Sequence, residues 1–365
     1  MNEEPVRVSR VIPRSGPAPE ATMKDIAIIA GVSQSTVSRV ISGAPPSVRI
    51  NKGTRDRVIK VAQKLGFRPN PVARALRGAR TMLLGVIVGD ITDPFFPGVV
   101  AAVSAAARDR GYNVVLGHAH GRAREAVALQ AVLETRRCDA IILLGDMGDH
   151  SRVLRELGES RVPSVSLARG SRRDVGMTSV DVDDQFGIQA VMDYLVGLGH
   201  RRIAYIGPRA NGDFPTRRNT YLQVAKGHGL EVHRGYDVLT ANNAAGGVAG
   251  FETLLALRMP PTAVVAATDL IAIGVLNAAY RAGVVVPDHI SVTGFDDLDI
   301  SGFLVPPLTT VRTPAVEMAA AAVSAAIALV DRSEGDTNPG SYVFVPDLII
   351  RESCAPPRSA SLPDR

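Results

Sequence analysis

The 365-residue sequence contains no tryptophan and only two cysteines, Cys138 and Cys354. The cysteines lie far apart, and neither belongs to a CxxC motif or a Cys/His cluster, so the sequence predicts neither a disulfide framework nor a zinc site. So few cysteines fit a reducing compartment. Aromatic residues make up only 4% of the chain, and without tryptophan there is no indole ring on which a sugar ligand could stack.

Long apolar runs are absent as well. The first twenty residues combine charges with four prolines and lack the continuous apolar stretch of a signal peptide. The nearest approach to a membrane span, residues 315–330, is short and alanine-rich and contains Glu317. We therefore expect a cytoplasmic protein without a membrane span, in which 315–330 forms a core-facing helix.

The motifs of several common enzyme classes are missing. No GxGxxG or GxSxG pattern occurs, and none of the five lysines follows a glycine, which excludes a GxxxxGK[ST] phosphate-binding loop. His118 and His120 form the only close histidine pair, and a solvated loop explains them better than a metal site. No cofactor or metal is expected. Enzymatic activity is not predicted, although doubly wound folds often carry it.

Charge is distributed unevenly along the chain. Residues 1–80 contain 15 Lys and Arg against 5 Asp and Glu, which leaves 26 and 31 for residues 81–365. The net charge of +5 thus divides into +10 and −5. This asymmetry is typical of a nucleic-acid-binding unit joined to a body with another task. The helical periodicity of the basic stretch argues against a solvated tail.

The basic stretch contains three short helical patterns. In the first, Ile26, Ile29 and Ala30 share one face, and Gly31 ends the helix. The second follows after a tight turn, and the third spans residues 53–67. Three small helices can share one core.

The second pattern has the spacing of a helix-turn-helix recognition helix. Val37, Val40 and Ile41 lie at i, i+3 and i+4 and point inward, and Ser33 is positioned to cap the start. The outward side chains are those of Gln34, Ser35, Ser38 and Arg39. In the major groove Gln pairs with adenine and Arg with guanine, whereas Ser is less selective. A generic three-helix bundle with a polar face is the alternative interpretation.

From residue 83 the pattern changes to apolar runs that alternate with amphipathic segments. Seven runs begin near residues 83, 112, 139, 162, 201, 262 and 289. The helical stretches span 97–110, 121–137, 184–198, 216–229, 244–257, 270–282 and 314–331. Continuous apolar strands separated by helices predict parallel sheets covered on both faces, and over this length they favour two doubly wound lobes.

The segments ATMKDIAIIAGVSQSTVSRVISG and TRDRVIKVAQKLGFRPNPVARALRG closely resemble the LacI family of bacterial transcriptional repressors. The resemblance continues through GVIVGDITDPFF (85–96), GHRRIAYIG (199–207), VPDHISVTGFDD (286–297), PPLTTVR (306–312) and LIIRES (348–353). It covers nearly the whole chain beyond residue 20. It implies an all-α helix-turn-helix DNA-binding head joined to an α/β body of two doubly wound parallel-sheet lobes, similar to periplasmic binding proteins.

The resemblance also implies DNA contacts. Gln34 and Ser35 match residues that read the operator, with Arg39 one turn further along. Leu76 matches the family's minor-groove wedge, an apolar side chain that kinks the duplex; packing of Leu76 against the body is the alternative. Lys52 and Arg55 lie near enough in sequence to meet phosphates.

The chain departs from the family between the second and third helices. The loop GAPPSVRINKG (43–53) is longer than in relatives, and Ser42 stands where the family usually has Asn. Asn51 is the expected replacement N-cap of the third helix. The effect on fine operator contacts stays open.

Six residues match the family's effector cleft between the two lobes. They are Phe95, Phe96, Asp183, Arg217, Thr268 and Asp296. Carboxylates and an arginine suit the recognition of ligand hydroxyls, and an aromatic ring offers an apolar face to a sugar or base. Asp183 has a rival explanation as a helix cap, and Asp296 as a cap of the turn after its strand.

These patterns together predict a modular regulator. We expect tails at 1–21 and 354–365, a head at 22–68, a hinge helix at 69–80, a first lobe of 81–182 with about 311–330, and a second lobe of 183–310 with about 331–353. The predicted function is a DNA-binding repressor, a homodimer on a pseudopalindromic operator, controlled by a small polar effector, a sugar or derivative. The alternatives are a purine-type corepressor stacked on Phe96, and a small-molecule-binding protein or enzyme without DNA function.

Overall fold

A computed structural model describes residues 21–42, 50–67, 80–120, 122–135, 138–146, 162–168, 177–208, 214–230, 232–331 and 340–358. The chain divides into two compact units, Met1–Arg80 and Thr81–Arg365. The first unit is called the head and the second the body. Among the described residues, no helix combines the length and apolarity that a membrane crossing needs.

The described part of the head consists of three helices, α1 (Met23–Ala30), α2 (Gln34–Ser42) and α3 (Lys52–Lys64). Thr22 forms a capping box with Asp25 at the start of α1, and Gly31 ends that helix with a left-handed φ of 65°. Their shared core consists of Ile26, Ala27, Ala30, Val37, Val40 and Val58. The prediction that Ile29 belongs to the core is wrong, because this side chain is 59% exposed and Ala27 takes the buried position.

The body begins with a six-stranded parallel sheet. Its strands are β1 (Leu83–Val88), β2 (Asn113–His118), β3 (Ala140–Leu144), β4 (Ser164–Leu167), β5 (Thr178–Val182) and β11 (Ser341–Phe344), in the order β11-β5-β4-β3-β1-β2. The flanking helices are α4 (Phe95–Arg108), α5 (Ala123–Thr135) and α10 (Ala315–Asp331). The apolar residues of β1 and β3 feed separate cores on the two faces of the sheet, as a strand covered on both sides requires.

A second parallel sheet forms the other lobe. Its strands are β6 (Ile203–Pro208), β7 (Asp237–Thr240), β8 (Ala263–Ala266) and β9 (Ser291–Thr293), in the order β7-β6-β8-β9. The helices of this lobe are α6 (Asp184–Gly197), α7 (Phe214–Gly227), α8 (Ala244–Leu255) and α9 (Asp269–Arg281). A short 3-10 helix, Asp299–Phe303, follows β9. The two lobes therefore have the doubly wound layering that the sequence predicts.

The chain crosses between the lobes again near its end. Strands β10 (Thr310–Arg312) and β12 (Asp347–Ile349) pair antiparallel outside both large sheets. Helix α10 packs in the core of the first lobe. The assignment of all of 331–353 to the second lobe needs correction, because residues 341–344 hydrogen-bond to β5 at the edge of the first sheet.

Candidate functional site

Helix α2 presents most of the predicted recognition residues to solvent. The Ser33 hydroxyl accepts a hydrogen bond from the Thr36 backbone N–H at 3.1 Å, as the first turn of a helix requires. Gln34, Ser35 and Arg39 are exposed, while Val37 and Val40 are buried beneath them. This is the arrangement that leaves the N-terminal turn of a recognition helix available to the major groove. Ser38 is half-buried.

The start of α3 carries the two predicted phosphate-contacting residues. Asn51 accepts a hydrogen bond from the Gly53 N–H at 2.9 Å, so it occupies the expected capping position. Lys52 and Arg55 are both exposed. Leu76 and residues 43–49 of the longer loop lie outside the described residues.

A second group of polar side chains collects at the carboxyl ends of the parallel strands of the body. Open α/β sheets bind ligands at this edge. Asp93 follows β1, Asp184 follows β5, and Arg217 lies in the helix after β6. Asn242 follows β7, Thr268 follows β8, and Asp296 follows β9. This cleft cluster thus draws side chains from both lobes.

Arg217 lies at the centre of the cluster and is almost completely buried. Its Nε donates a hydrogen bond to Asp184 Oδ1 at 2.6 Å, and its Nη1 donates to the Ala267 carbonyl at 2.7 Å. Its Nη2 lies 3.6 Å from Asp296 Oδ1. The guanidinium carbon sits 3.6 Å from the centroid of the Phe295 ring, a cation–π geometry. A buried arginine placed in this way is held by protein groups on several sides.

The carboxylates around Arg217 are strongly desolvated. Burial raises the pKa of the Asp184 carboxyl and raises the pKa of Asp296 well above its ordinary value, while the charge of Arg217 opposes both shifts. The pKa of Asp93 is also raised by burial. Asp296 adopts a φ of 108°, a conformation that costs a non-glycine residue energy and persists only where the surroundings enforce it.

A hydrogen-bonded chain connects the lobes. The Thr268 hydroxyl donates to Asn242 Oδ1 at 2.9 Å, and Asn242 Nδ2 donates to Asp93 Oδ2 at 3.0 Å. The other Asp93 oxygen accepts from the Phe95 N–H at the start of α4. Thr268 also caps α9 by accepting from the Ile271 N–H. The chain therefore begins on a hydroxyl of the second lobe and ends on a carboxylate of the first.

Phe95 and Phe96 are half-buried and contact each other edge to face, with ring centroids 5.4 Å apart. Both pack against the core of the first lobe. Gly145, which follows β3 with a φ of 76°, leaves the space that the Phe96 ring occupies, and a Cβ at this glycine would overlap the ring. The structure thus anchors both rings at the first-lobe side of the cleft.

Asp269 supports the loop that carries Asp296. Its carboxylate accepts hydrogen bonds from the Leu298 N–H at 2.8 Å, from Ser301 Oγ at 2.5 Å and from the Thr310 hydroxyl. Burial raises the pKa of Asp269 to about 6, against the opposing effect of these hydrogen bonds. Asp269 thereby fastens residues 298–310 to the start of α9.

The structure brings five of the six predicted cleft residues to this edge of the sheets, namely Phe95, Phe96, Arg217, Thr268 and Asp296. It places Asp183 differently. The Asp183 side chain caps α6 by accepting from the Phe186 N–H at 2.9 Å and lines a separate surface groove between α6 and α7. The neighbouring Asp184 makes the ion pair with Arg217 instead.

Sequence reasoning missed four cleft residues, Asp93, Asp184, Asn242 and Phe295. Each follows a strand, so the rule that ligands bind at the carboxyl ends of parallel strands could have found them.

The histidine pair of the sequence has local partners: His118 Nε2 accepts from the Ile91 N–H, and the His120 Nδ1 lies 2.5 Å from Glu125 Oε2. No group of three potential metal-binding side chains occurs among the described residues.

Comparison with known proteins connects both units to one family. Residues 22–70 match the family model for bacterial regulatory proteins of the lacI family, and residues 192–354 match a periplasmic binding protein-like domain. The transcriptional repressor CytR of Escherichia coli K12 is 32% identical over 336 residues, covering 91% of this chain and 96% of CytR. The transcriptional regulator GalR of Salmonella typhimurium LT2 is 32% identical over 343 residues, covering 92% and 97%.

Comparison with solved structures gives the same family. The Lac repressor dimer bound to operator and the anti-inducer ONPF superposes with a TM-score of 0.82 at 25% identity, covering 92% of this chain and 99% of the repressor chain. A LacI transcriptional regulator from a Rhodococcus species is 35% identical with a TM-score of 0.66, covering 75% of this chain and 98% of its own. The helical head, the two parallel-sheet lobes and these relatives together establish that the chain belongs to the LacI family of bacterial transcriptional regulators.

Proposed function

We propose that this regulator is a cytoplasmic repressor that binds a pseudopalindromic operator as a homodimer, and that a small polar effector, a sugar or derivative, controls its operator affinity from the cleft. The observation that carries the proposal is the buried cluster around Arg217. Desolvated charges with strongly perturbed pKa values, gathered at the ligand-binding edge of two sheets, are typical of a site rather than of a stabilising core.

The cleft is a suitable place for control because it contains contacts between the lobes. A ligand can change operator affinity only by interacting differently with two arrangements of the body. The hydrogen bond from Asn242 to Asp93 spans the cleft, so a ligand that replaces or reinforces it favours one lobe arrangement. We expect this change to reach DNA through the hinge segment 69–80, whose wedge residue is Leu76.

The exposed surface of α2 and α3 supports operator binding. Gln34, Ser35 and Arg39 face solvent on the recognition helix, with Ser33 and Ser38 flanking them, and Lys52 and Arg55 add positive charge at the start of α3. The first group is suited to base contacts and the second to phosphate contacts. Two heads must be presented together to read two half-sites, which is the reason for proposing a homodimer.

Two exposed apolar side chains fit a second copy of the chain. Phe303, the last residue of the 3-10 helix of the second lobe, is 82% exposed, and Val305, two residues further on, is 94% exposed. Exposed apolar residues of this size are typical of interaction surfaces. The Lac repressor, a relative of this chain, crystallised as a dimer on its operator.

The test of DNA function uses a DNA fragment selected from a random pool by the full-length protein, with a scrambled fragment for comparison. We expect tight binding that weakens steeply with salt, because Lys and Arg displace counterions from phosphates. Gln34→Ala should lower affinity for the selected fragment by about 1–3 kcal/mol and leave scrambled DNA unaffected. Lys52→Ala is the matched control, because losing one phosphate contact weakens both fragments alike and lowers the salt slope by about 1. A flat salt response or equal affinity for both fragments would refute the proposal.

A further inference from the structure

Several hydrogen-bond donors of the described part of the cleft already have acceptors within the protein. Arg217 donates from Nε to Asp184 and from Nη1 to the Ala267 carbonyl. The Thr268 hydroxyl is committed to Asn242, and the Asn242 amide is committed to Asp93. These four donor groups of the two polar networks thus already have protein acceptors.

The acceptors, in contrast, are not saturated. The Asp296 side chain is nine-tenths buried, and among the described residues its carboxylate receives no hydrogen bond, since its nearest cation, Arg217 Nη2, lies at 3.6 Å. Each Asp93 oxygen receives one hydrogen bond, from Asn242 or from the Phe95 N–H, and a carboxylate oxygen can accept two. A buried acceptor without a donor is costly, so a ligand that supplies the donor is favoured.

The charge balance points the same way. Asp93, Asp184 and Asp296 approach a single guanidinium, that of Arg217, in the described part of the cleft. Burial raises the pKa of all three carboxyls, so this part of the cleft holds protons more tightly than solution does, and a further negative charge on a ligand is disfavoured there. A phosphate or carboxylate on the ligand would lie beside these carboxyl groups. The one arginine near them, Arg217, already forms an ion pair with Asp184.

We propose that the cleft binds a ligand that presents hydrogen-bond donors, with an amino nitrogen facing Asp296 and Asp93, and that it discriminates against phosphorylated ligands. This inference rests on the proposed effector function of the cleft and narrows its ligand class. Two classes of ligand carry such an amino nitrogen: aminosugars, and nucleosides with an exocyclic amino group. The experiment tests each class in a separate series.

The experiment measures dissociation constants by calorimetry on the full-length protein with two matched series. The first is glucosamine, glucose and glucose 6-phosphate, and the second is adenosine, inosine and adenosine monophosphate. We expect the amino member of one series to bind at least tenfold more tightly than its phosphorylated member, and more tightly than the neutral member. Asp296→Asn should reduce the preference for the amino member at least tenfold. Asp193→Asn is the control, because Asp193 pairs with His228 in the groove between α6 and α7.

A second measurement tests whether Asp184 is what blocks anions. Asp184→Asn removes the charged partner of Arg217, so inorganic phosphate should raise the thermal midpoint of this variant and leave that of the wild type unchanged. The inference is overturned if a phosphorylated member binds the wild type as tightly as its amino counterpart, if no amino member binds, or if phosphate stabilises both proteins equally. Binding of the selected DNA fragment tests the proposed regulatory function separately. The ligand inference and the regulatory function can therefore fail independently.

Discussion

Arg217 should be indispensable to the stability of the body, because its removal leaves buried carboxylates without a cation. The side chain of Arg217 is 6% exposed and that of Asp184 is 5% exposed, with 2.6 Å between Nε and Oδ1. Removing one partner of a buried ion pair costs about 3–5 kcal/mol. We therefore expect Arg217→Met to lower the free energy of unfolding by about 4 kcal/mol, since Met retains most of the aliphatic volume.

The assay is urea unfolding followed by tyrosine fluorescence. All seven tyrosines lie beyond residue 81, and tryptophan is absent, so the signal reports on the body alone. In the Arg217→Met background, Asp184→Asn should recover about half of the loss, because it removes the uncompensated charge.

The neighbouring residue provides the matched control. Arg218 pairs with Asp237 at the protein surface, where its side chain is 31% exposed, so Arg218→Met should cost only about 1 kcal/mol. The reasoning is refuted if Arg217→Met and Arg218→Met cost the same. It is equally refuted if Arg217→Met is no less damaging when Asp184→Asn is present, since the two residues would then not be coupled.

Three further predictions concern separate parts of the body. The pKa of Asp269 is raised to about 6 from 3.8, so the folded state binds this proton more tightly than the unfolded state and stability falls as pH rises from 4 to 6. Between pH 4 and 7, wild type should therefore lose about 2 kcal/mol relative to Asp269→Asn in urea titrations, and a pH-independent difference would contradict this. Gly145→Ala should destabilise the body by about 1–3 kcal/mol and weaken effector binding, because its methyl group displaces the Phe96 ring and its φ of 76° is strained for alanine; unchanged melting and binding would disprove it. Phe303→Asp should convert dimers to monomers in sedimentation velocity and weaken operator binding, whereas Phe186→Asp, also exposed in the second lobe, should leave the dimer intact.

Strand prediction succeeded where a strand is buried on both faces. The runs beginning near residues 83, 139 and 201 became β1, β3 and β6, because a continuous apolar segment between helices has few other stable placements. Most of the strands that were missed are short or lie at a sheet edge; β5 is an exception, since it is as long as β3 and lies inside the first sheet. β7 is only half-buried, and β11 is mostly exposed, so neither carries a strong apolar signal.

The residues of the candidate site also divide into those that could be predicted from the sequence and those that could not. Arg217, Asp296 and Thr268 could be predicted because family motifs surround them. The choice between Asp183 and Asp184 could not, because adjacent acids look equivalent in a sequence. The backbone at the start of α6 decides it: Asp183 turns back to cap the helix, and the next residue points towards Arg217.

The sequence by itself determined the class of the protein. Helical periodicity, apolar runs and the charge division of +10 against −5 are properties of local sequence, so they can be read without knowledge of the tertiary structure. Only the tertiary structure decided which charges meet and which hydrogen-bond donors remain available in the cleft. Arg217, Asp184 and Asp296 come from distant parts of the chain, and their pairing depends on how two sheets place the ends of their strands.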